Sequence, residues 1–210
     1  MKRVIFILSF LPCVLLAQDI HFSQWMYHPV FSNPAASGFF DGDYRIHAQQ
    51  RSQWSSVSVP FTSTSLGMDM SLNGVGLSGQ LLLDNAGTSS LSTTQFNLIG
   101  AYQIGSWRGG VQLGFTQRSI DYSNLFFPES NESFASESKS FLDVGVGILK
   151  IIEVNFDKSL DLSIAHFHIN QPNPSFIERT GKLPIRHQLQ ANLYWQISDY
   201  WQLQPSLMYQ

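Results

Sequence analysis

The chain has 210 residues and a formal net charge of −3; only 13% of its residues are charged, and 13% are aromatic. Ordinary soluble domains carry about twice that share of charge, so something other than charge must cover this surface. No basic cluster follows residue 3, which leaves no electrostatic footprint for nucleic acid.

Lys2 and Arg3, the apolar run 4–16 and the small residue Ala17 predict a signal peptide over residues 1–17, with the mature chain starting near Gln18. The run is interrupted by Pro12 and is shorter than the roughly twenty residues a spanning helix needs. Cys13, the single cysteine, lies in this leader behind Phe10-Leu11-Pro12, which is not the run expected before a lipidated cysteine. A disulfide framework, a Cys-ligated metal and a thiol nucleophile are thereby excluded from the mature chain.

Residues 18–43 show no alternation and carry Trp25, Tyr27, Phe31, Phe39 and Phe40. From Tyr44 onward the dominant period is two, the signature of strands. Val75, Leu77, Gly79, Leu81 and Leu83 share one face, against Gly76, Ser78, Gln80 and Asp84 on the other. The same pattern recurs with Phe96, Leu98, Gly100, Tyr102 and Ile104, with Val111, Leu113 and Phe115, with Leu142, Val144, Val146 and Ile148, and with Leu189, Ala191, Leu193, Trp195 and Ile197. Nine strands are predicted, over 44–51, 62–72, 74–84, 92–104, 107–119, 141–151, 159–168, 187–197 and 200–210.

Strands of about ten residues suit a tilted membrane crossing. Mean hydropathy is near neutral at −0.04, as expected of a wall that is apolar outside and polar inside. A soluble β-sandwich uses the same alternation but carries far more Lys and Glu on its outer face. Connections alternate too: Asn73-Gly74, 104–107 and Ser198-Asp199 are short, whereas 120–140 and 168–186 are long. Trp54, Tyr102, Trp107, Trp195, Tyr200 and Trp201 fall near strand ends, where amphipathic rings favour the membrane interface. The expected fold is all-β, a transmembrane antiparallel outer-membrane β-barrel over 44–210. Nine is an odd number and the amphipathic pattern runs on to Gln210, so the chain is expected to be the N-terminal portion of a larger barrel of about 14 strands.

Gln18-Asp19-Ile20-His21-Phe22-Ser23-Gln24, Pro29, Asn33-Pro34-Ala35-Ala36-Ser37-Gly38, Gly42-Asp43-Tyr44-Arg45 and Arg51-Ser52-Gln53-Trp54 carry a resemblance that continues through Asp84-Asn85-Ala86-Gly87, the strand around Gly114, and Leu203-Gln204-Pro205-Ser206. The sequence resembles the PorP/SprF family of type IX secretion system membrane proteins of Bacteroidetes. It departs from the family at Ala36-Ser37-Gly38, where a threonine more often precedes the glycine. The resemblance implies an outer-membrane barrel of the secretion and gliding machinery. Its implied partners are outer-membrane lipid, periplasmic secretion subunits, and secreted adhesins or other cargo bound through type IX C-terminal domains.

Candidate chemistry is sparse. His166 and His168, two apart on one predicted strand, would share a face as metal ligands, but no third ligand stands at a workable spacing. Asp69, Asp84, Asp143 and Asp161, with Arg45 and Arg118, fall on polar faces and are expected to pair inside the barrel rather than to catalyse. No Gly-x-Ser-x-Gly elbow is present, and Gly74, Gly76 and Gly79 have no helix to receive a phosphate. Neither a cofactor nor an enzymatic activity is expected. The candidate site is the segment 18–43, placed in the lumen or at the periplasmic mouth, with His21, Phe22, Gln24, Trp25, Asn33, Pro34, Phe39 and Phe40 as plug or partner-binding residues. A passive porin-like channel is the alternative function.

Overall fold

The structure, a computed structural model, describes residues 19–57, 59–87, 91–122, 136–176 and 181–210. The predicted signal peptide and most of the loop 120–140 lie outside the described residues. Alternating residues from Tyr44 onward form β1 (Tyr44–Gln53), β2 (Phe61–Leu72), β3 (Val75–Ala86), β4 (Leu91–Ile104), β5 (Trp107–Ile120), β6 (Glu137–Asn155), β7 (Lys158–Phe167), β8 (Arg186–Ser198), β9 (Trp201–Leu203) and β10 (Ser206–Tyr209). They build one antiparallel sheet in the order β1-β2-β3-β4-β5-β6-β7-β8-β10, with β9 also on β8. The sheet is open, its edges being β1 and β10. Among the described residues no helix is long and apolar enough to cross a membrane.

Two strands differ from the sequence reading by more than two residues. The strand expected over 200–210 is two short strands, because Pro205 has no N–H to donate to a ladder and breaks the run. The strand expected over 141–151 extends through Glu137–Asn155, lengthened at both ends by its partners β5 and β7.

Burial is inverted relative to a soluble protein. Leu66, Leu98, Val111, Leu113, Phe115 and Leu142 are exposed on the outer face, while Ser65, Asp69, Gln80, Asn97, Gln112 and Asp143 are buried on the inner one. A continuous apolar outer surface of this kind suits lipid, not water.

The sheet curls. Asp19 pairs with Arg186 of β8, and two residues later the His21 carbonyl accepts a hydrogen bond from Arg51 of β1. Two residues span about 7 Å, whereas β1 and β8 would stand roughly 34 Å apart in a flat sheet. The wall therefore wraps around residues 19–43, which run from the long-connection end, beside His168 and Arg186, to the short-turn end, where Ser71 N–H donates to the Asp43 carbonyl.

Candidate functional site

The lower half of the segment lies in a trench of small residues. Strand pairing puts Ser71, Gly76, Ala101, Gly110, Gly147 and Ala165 in one row across β2 to β7. Residues 33–38 lie against this row. A Cβ on Gly76 would run into the Ser37 carbonyl, on Gly110 into the backbone of Pro34 and Ala35, and on Gly147 into the Asn33 side chain. At Gly76 and Gly110 backbone, and at Gly147 the Asn33 side chain, occupies the space a side chain would take. At Gly38 (φ +64°) the chain turns out of the trench; a Cβ there would sit 2.6 Å from Gly76 Cα.

Polar groups fix the segment in the trench. Asn33 Oδ1 accepts from Ala35 N–H at 2.8 Å, capping the short helical turn Pro34–Ala36, and Nδ2 donates to the carbonyls of Ile148 and Ile164 at 3.3 Å each. Arg108, buried on β5, donates to the carbonyls of Ala35 (3.1 Å) and Ser37 (2.6 Å). Asp69 accepts from Gly38 N–H at 3.1 Å and holds Arg45 by two bonds, at 3.0 and 2.6 Å. Phe39 and Phe40 lie under the guanidinium groups of Arg108 and Arg45, at 5.1 and 4.5 Å to the ring centroids.

Midway, His28 is completely buried. Its Nε2 accepts from Gln80 at 2.9 Å, and its Nδ1 faces Ser65 Oγ at 3.2 Å. Gln80 Oε1 accepts from Asn97, whose Oδ1 accepts from Gln95, so one chain of amides ties the segment to β3 and β4. Burial first, then the charges of His47 and Arg45, push the His28 imidazole down to about 3. A neutral ring that accepts at one nitrogen and donates at the other is what this network requires.

The upper half is held differently. His168 leaves β7 at φ +58° and turns inward, where Nδ1 meets Asp143 at 2.9 Å and Nε2 meets Asp19 at 2.7 Å. Only an imidazolium donates from both nitrogens. Burial opposes that charge, but the bonds to Asp143 and Asp19 outweigh it and raise His168 to about 9. Asp19 is held below its usual range: burial works against its charge, and the His168 bond and the Arg186 guanidinium prevail. Beyond Asp19 the segment is shallow. The Gln24 carbonyl accepts from Gln49 at 2.7 Å, Phe22 is buried against Phe31, and Trp25 is half-buried, while His21, Met26 and Tyr27 are exposed.

A family model for type IX secretion system membrane proteins, PorP/SprF, matches residues 14–210. The chain belongs to this family. No curated protein and no solved structure matches it. In this PorP/SprF member the curled wall surrounds an N-terminal segment that lies within the matched residues.

The structure brings Asn33 and Pro34 together with Phe39 and Phe40 in one clamp and leaves His21, Phe22, Gln24 and Trp25 in a separate, shallower strap. His166 and His168 do not share a face. The left-handed backbone at His168 swings it inward, whereas His166 stays on the outer face with its Nδ1 2.7 Å from that of His187. Among the described residues no three His, Cys, Asp or Glu side chains converge as metal ligands. Sequence reasoning missed Asp19, His28, Arg108 and Arg186 as anchors. The one available signal was that Gly76, Gly110 and Gly147 all occupy polar-face positions, where a side chain would otherwise be useful.

Proposed function

We propose that this protein sits in the outer membrane after signal-peptide-dependent export and acts as a closed scaffold of the type IX secretion and gliding machinery. It binds or retains secreted proteins, adhesins with type IX C-terminal domains, at the cell surface, with periplasmic subunits at the short-turn end and no catalytic activity of its own. The observation that carries this reading is the clamp. Residues 32–38 are buried throughout and anchored to five strands, which suits a barrel meant to stay shut and not one meant to conduct. Family membership supplies the secretion machinery as its setting.

Two measurements test it. Purified protein in planar bilayers is expected to be closed or nearly so; stable, large conductance would favour the passive channel. Deleting the gene is expected to remove adhesin from the cell surface, with display restored by an inserted copy. Normal adhesin display in a strain lacking this gene and any paralogue sinks the retention role.

A further inference from the structure

The cluster at the long-connection end balances two cations, His168 and Arg186, against Asp19 and Asp143, but its hydrogen bonding is incompletely matched. Asp19 uses a single oxygen, Oδ2, for both His168 Nε2 at 2.7 Å and Arg186 Nη1 at 3.2 Å. Arg186 Nε is buried and has no hydrogen-bond partner among the described residues. The guanidinium carbon lies over the Phe167 ring, 4.2 Å from its centroid, and 5.7 Å from that of Phe31, so two rings hold the group in place. A guanidinium presents parallel N–H groups that fit both oxygens of one carboxylate. Here the Nε of that fork is idle beside an imidazolium already aimed at an anion.

A partly open cavity of about 220 Å³ adjoins it, with Asp19, His168 and Arg186 on its wall and Arg118 and Asp84 also lining it. The strap that carries Asp19 is held at few points. Outside this cluster the carbonyls of His21 and Gln24 accept from Arg51 and Gln49, the His21 side chain bonds Gln210, and Phe22 is buried, while Met26 and Tyr27 are 45% and 69% exposed.

We propose that His168 and Arg186 form a carboxylate-recognition site in which Asp19 is an internal stand-in, and that a carboxylate delivered through the adjoining cavity displaces Asp19 and frees residues 19–27. The incoming group takes the place of Asp19 on His168 and also reaches Arg186 Nε, which Asp19 does not. Residues 33–38 stay in their trench, so release opens the cavity without unsealing the barrel. The carboxylate comes from a chain terminus or from an Asp or Glu side chain. This site stands on its own geometry and survives even if the cargo-retention reading fails.

The test uses the full-length protein in detergent with Cys13→Ser and Ser23→Cys, spin-labelled at residue 23, each variant first shown to migrate as a folded barrel. The probes are Ala-Ala-Phe as free acid, the same peptide as C-terminal amide, and the α-amide of N-acetylaspartate. The label is expected to be immobile without probe and to be mobilised saturably by a free carboxylate but not by the tripeptide amide. Whichever acid acts at lower concentration identifies the terminus or the side chain as the source. Asp19→Asn should mobilise the label without probe and lower the acid concentration needed for saturation of probe binding at least tenfold. Arg186→Lys, which keeps the charge and loses the fork, should raise it at least tenfold. An Asp19→Asn strap as immobile as its parent, or acid and amide acting alike or not at all, overturns the proposal.

Discussion

The two halves of the N-terminal segment are held by opposite physical means. Residues 33–38 are held chiefly by shape: backbone and the Asn33 side chain fill a row of absent side chains, Asn33 donates to strand carbonyls, and Arg108 donates to carbonyls of the segment. Residues 19–27 are held at Asp19 by charge, one carboxylate shared between an imidazolium and a guanidinium, and further along by bonds to two of their carbonyls and the packing of Phe22. A shape-based contact is all-or-none because packed interiors do not deform continuously. A charge-based contact can be exchanged for another charge of the same sign. The comparison teaches that one segment can be anchored at one end by packed backbone and at the other by an ion cluster.

The most direct way to break the comparison is Gly110→Val. Its side chain would occupy the place of Pro34 and Ala35, and because the obstacle is backbone a loss of about 3 kcal/mol is expected, at the upper end of overpacking effects. The measurement is the urea midpoint of the reconstituted protein, with bilayer conductance rising in parallel. Gly109→Val, one residue away with nothing within 4 Å of its added Cβ, should change stability by less than about 0.5 kcal/mol. A similar loss at both positions would refute the trench.

Arg108→Gln removes two charge-assisted bonds to the carbonyls of Ala35 and Ser37 and should cost about 2 kcal/mol. The same urea midpoint checks it. A cost within about 0.5 kcal/mol would move the clamp's strength from these bonds to packing alone.

Titration sharpens the contrast between the two halves. From pH 6.5 down to about 3 the unfolded chain takes up a proton at His28 that the folded protein refuses, so stability falls as pH drops through that window. Asp19, held below its usual range, adds to the loss in acid. From 6.5 up to about 9 the folded protein keeps a proton on His168 that the unfolded chain has released. That contribution is complete below 6.5 and is lost as pH rises through 9. Each limb should have a slope on the order of 1 kcal/mol per pH unit. In a pH series of urea midpoints, His28→Gln should flatten the acid limb and His168→Asn the alkaline one. Limbs that survive their own substitutions would reassign the groups.

Tyr27→Ser, on the exposed part of the strap, carries the smallest expected effect, within about 0.5 kcal/mol by the same midpoint. A larger loss would show that the strap is bound as deeply as the clamp.

Much of the wall was legible because strand faces follow from a local rule. Any stretch with period two declares which residues point the same way, and Gln80, Asn97, Gln112 and Asp143 are buried on the face that alternation assigns them. The importance of residues 18–43 was legible as well, through their lack of alternation and their likeness to the family block. The agents within that segment were legible only in part. Asn33 and Pro34 stood among the candidates and are deeply buried, and Phe39 and Phe40 serve as platforms under cations, whereas Asp19, His28 and Ala35 carried no signal of their own. His166 and His168 were paired on the assumption of an unbroken strand, and a single positive φ at His168 undid it.

What the sequence by itself determined is the membrane-facing wall, the identity of the inner face and the family, all of which depend on residues near one another in the chain. What only the tertiary structure decided is the alignment of Gly76, Gly110 and Gly147 into one trench and the meeting of Asp19 with His168 and Arg186. Both depend on the register of one strand against the next, and a shift of two residues would keep every face correct while moving every partner.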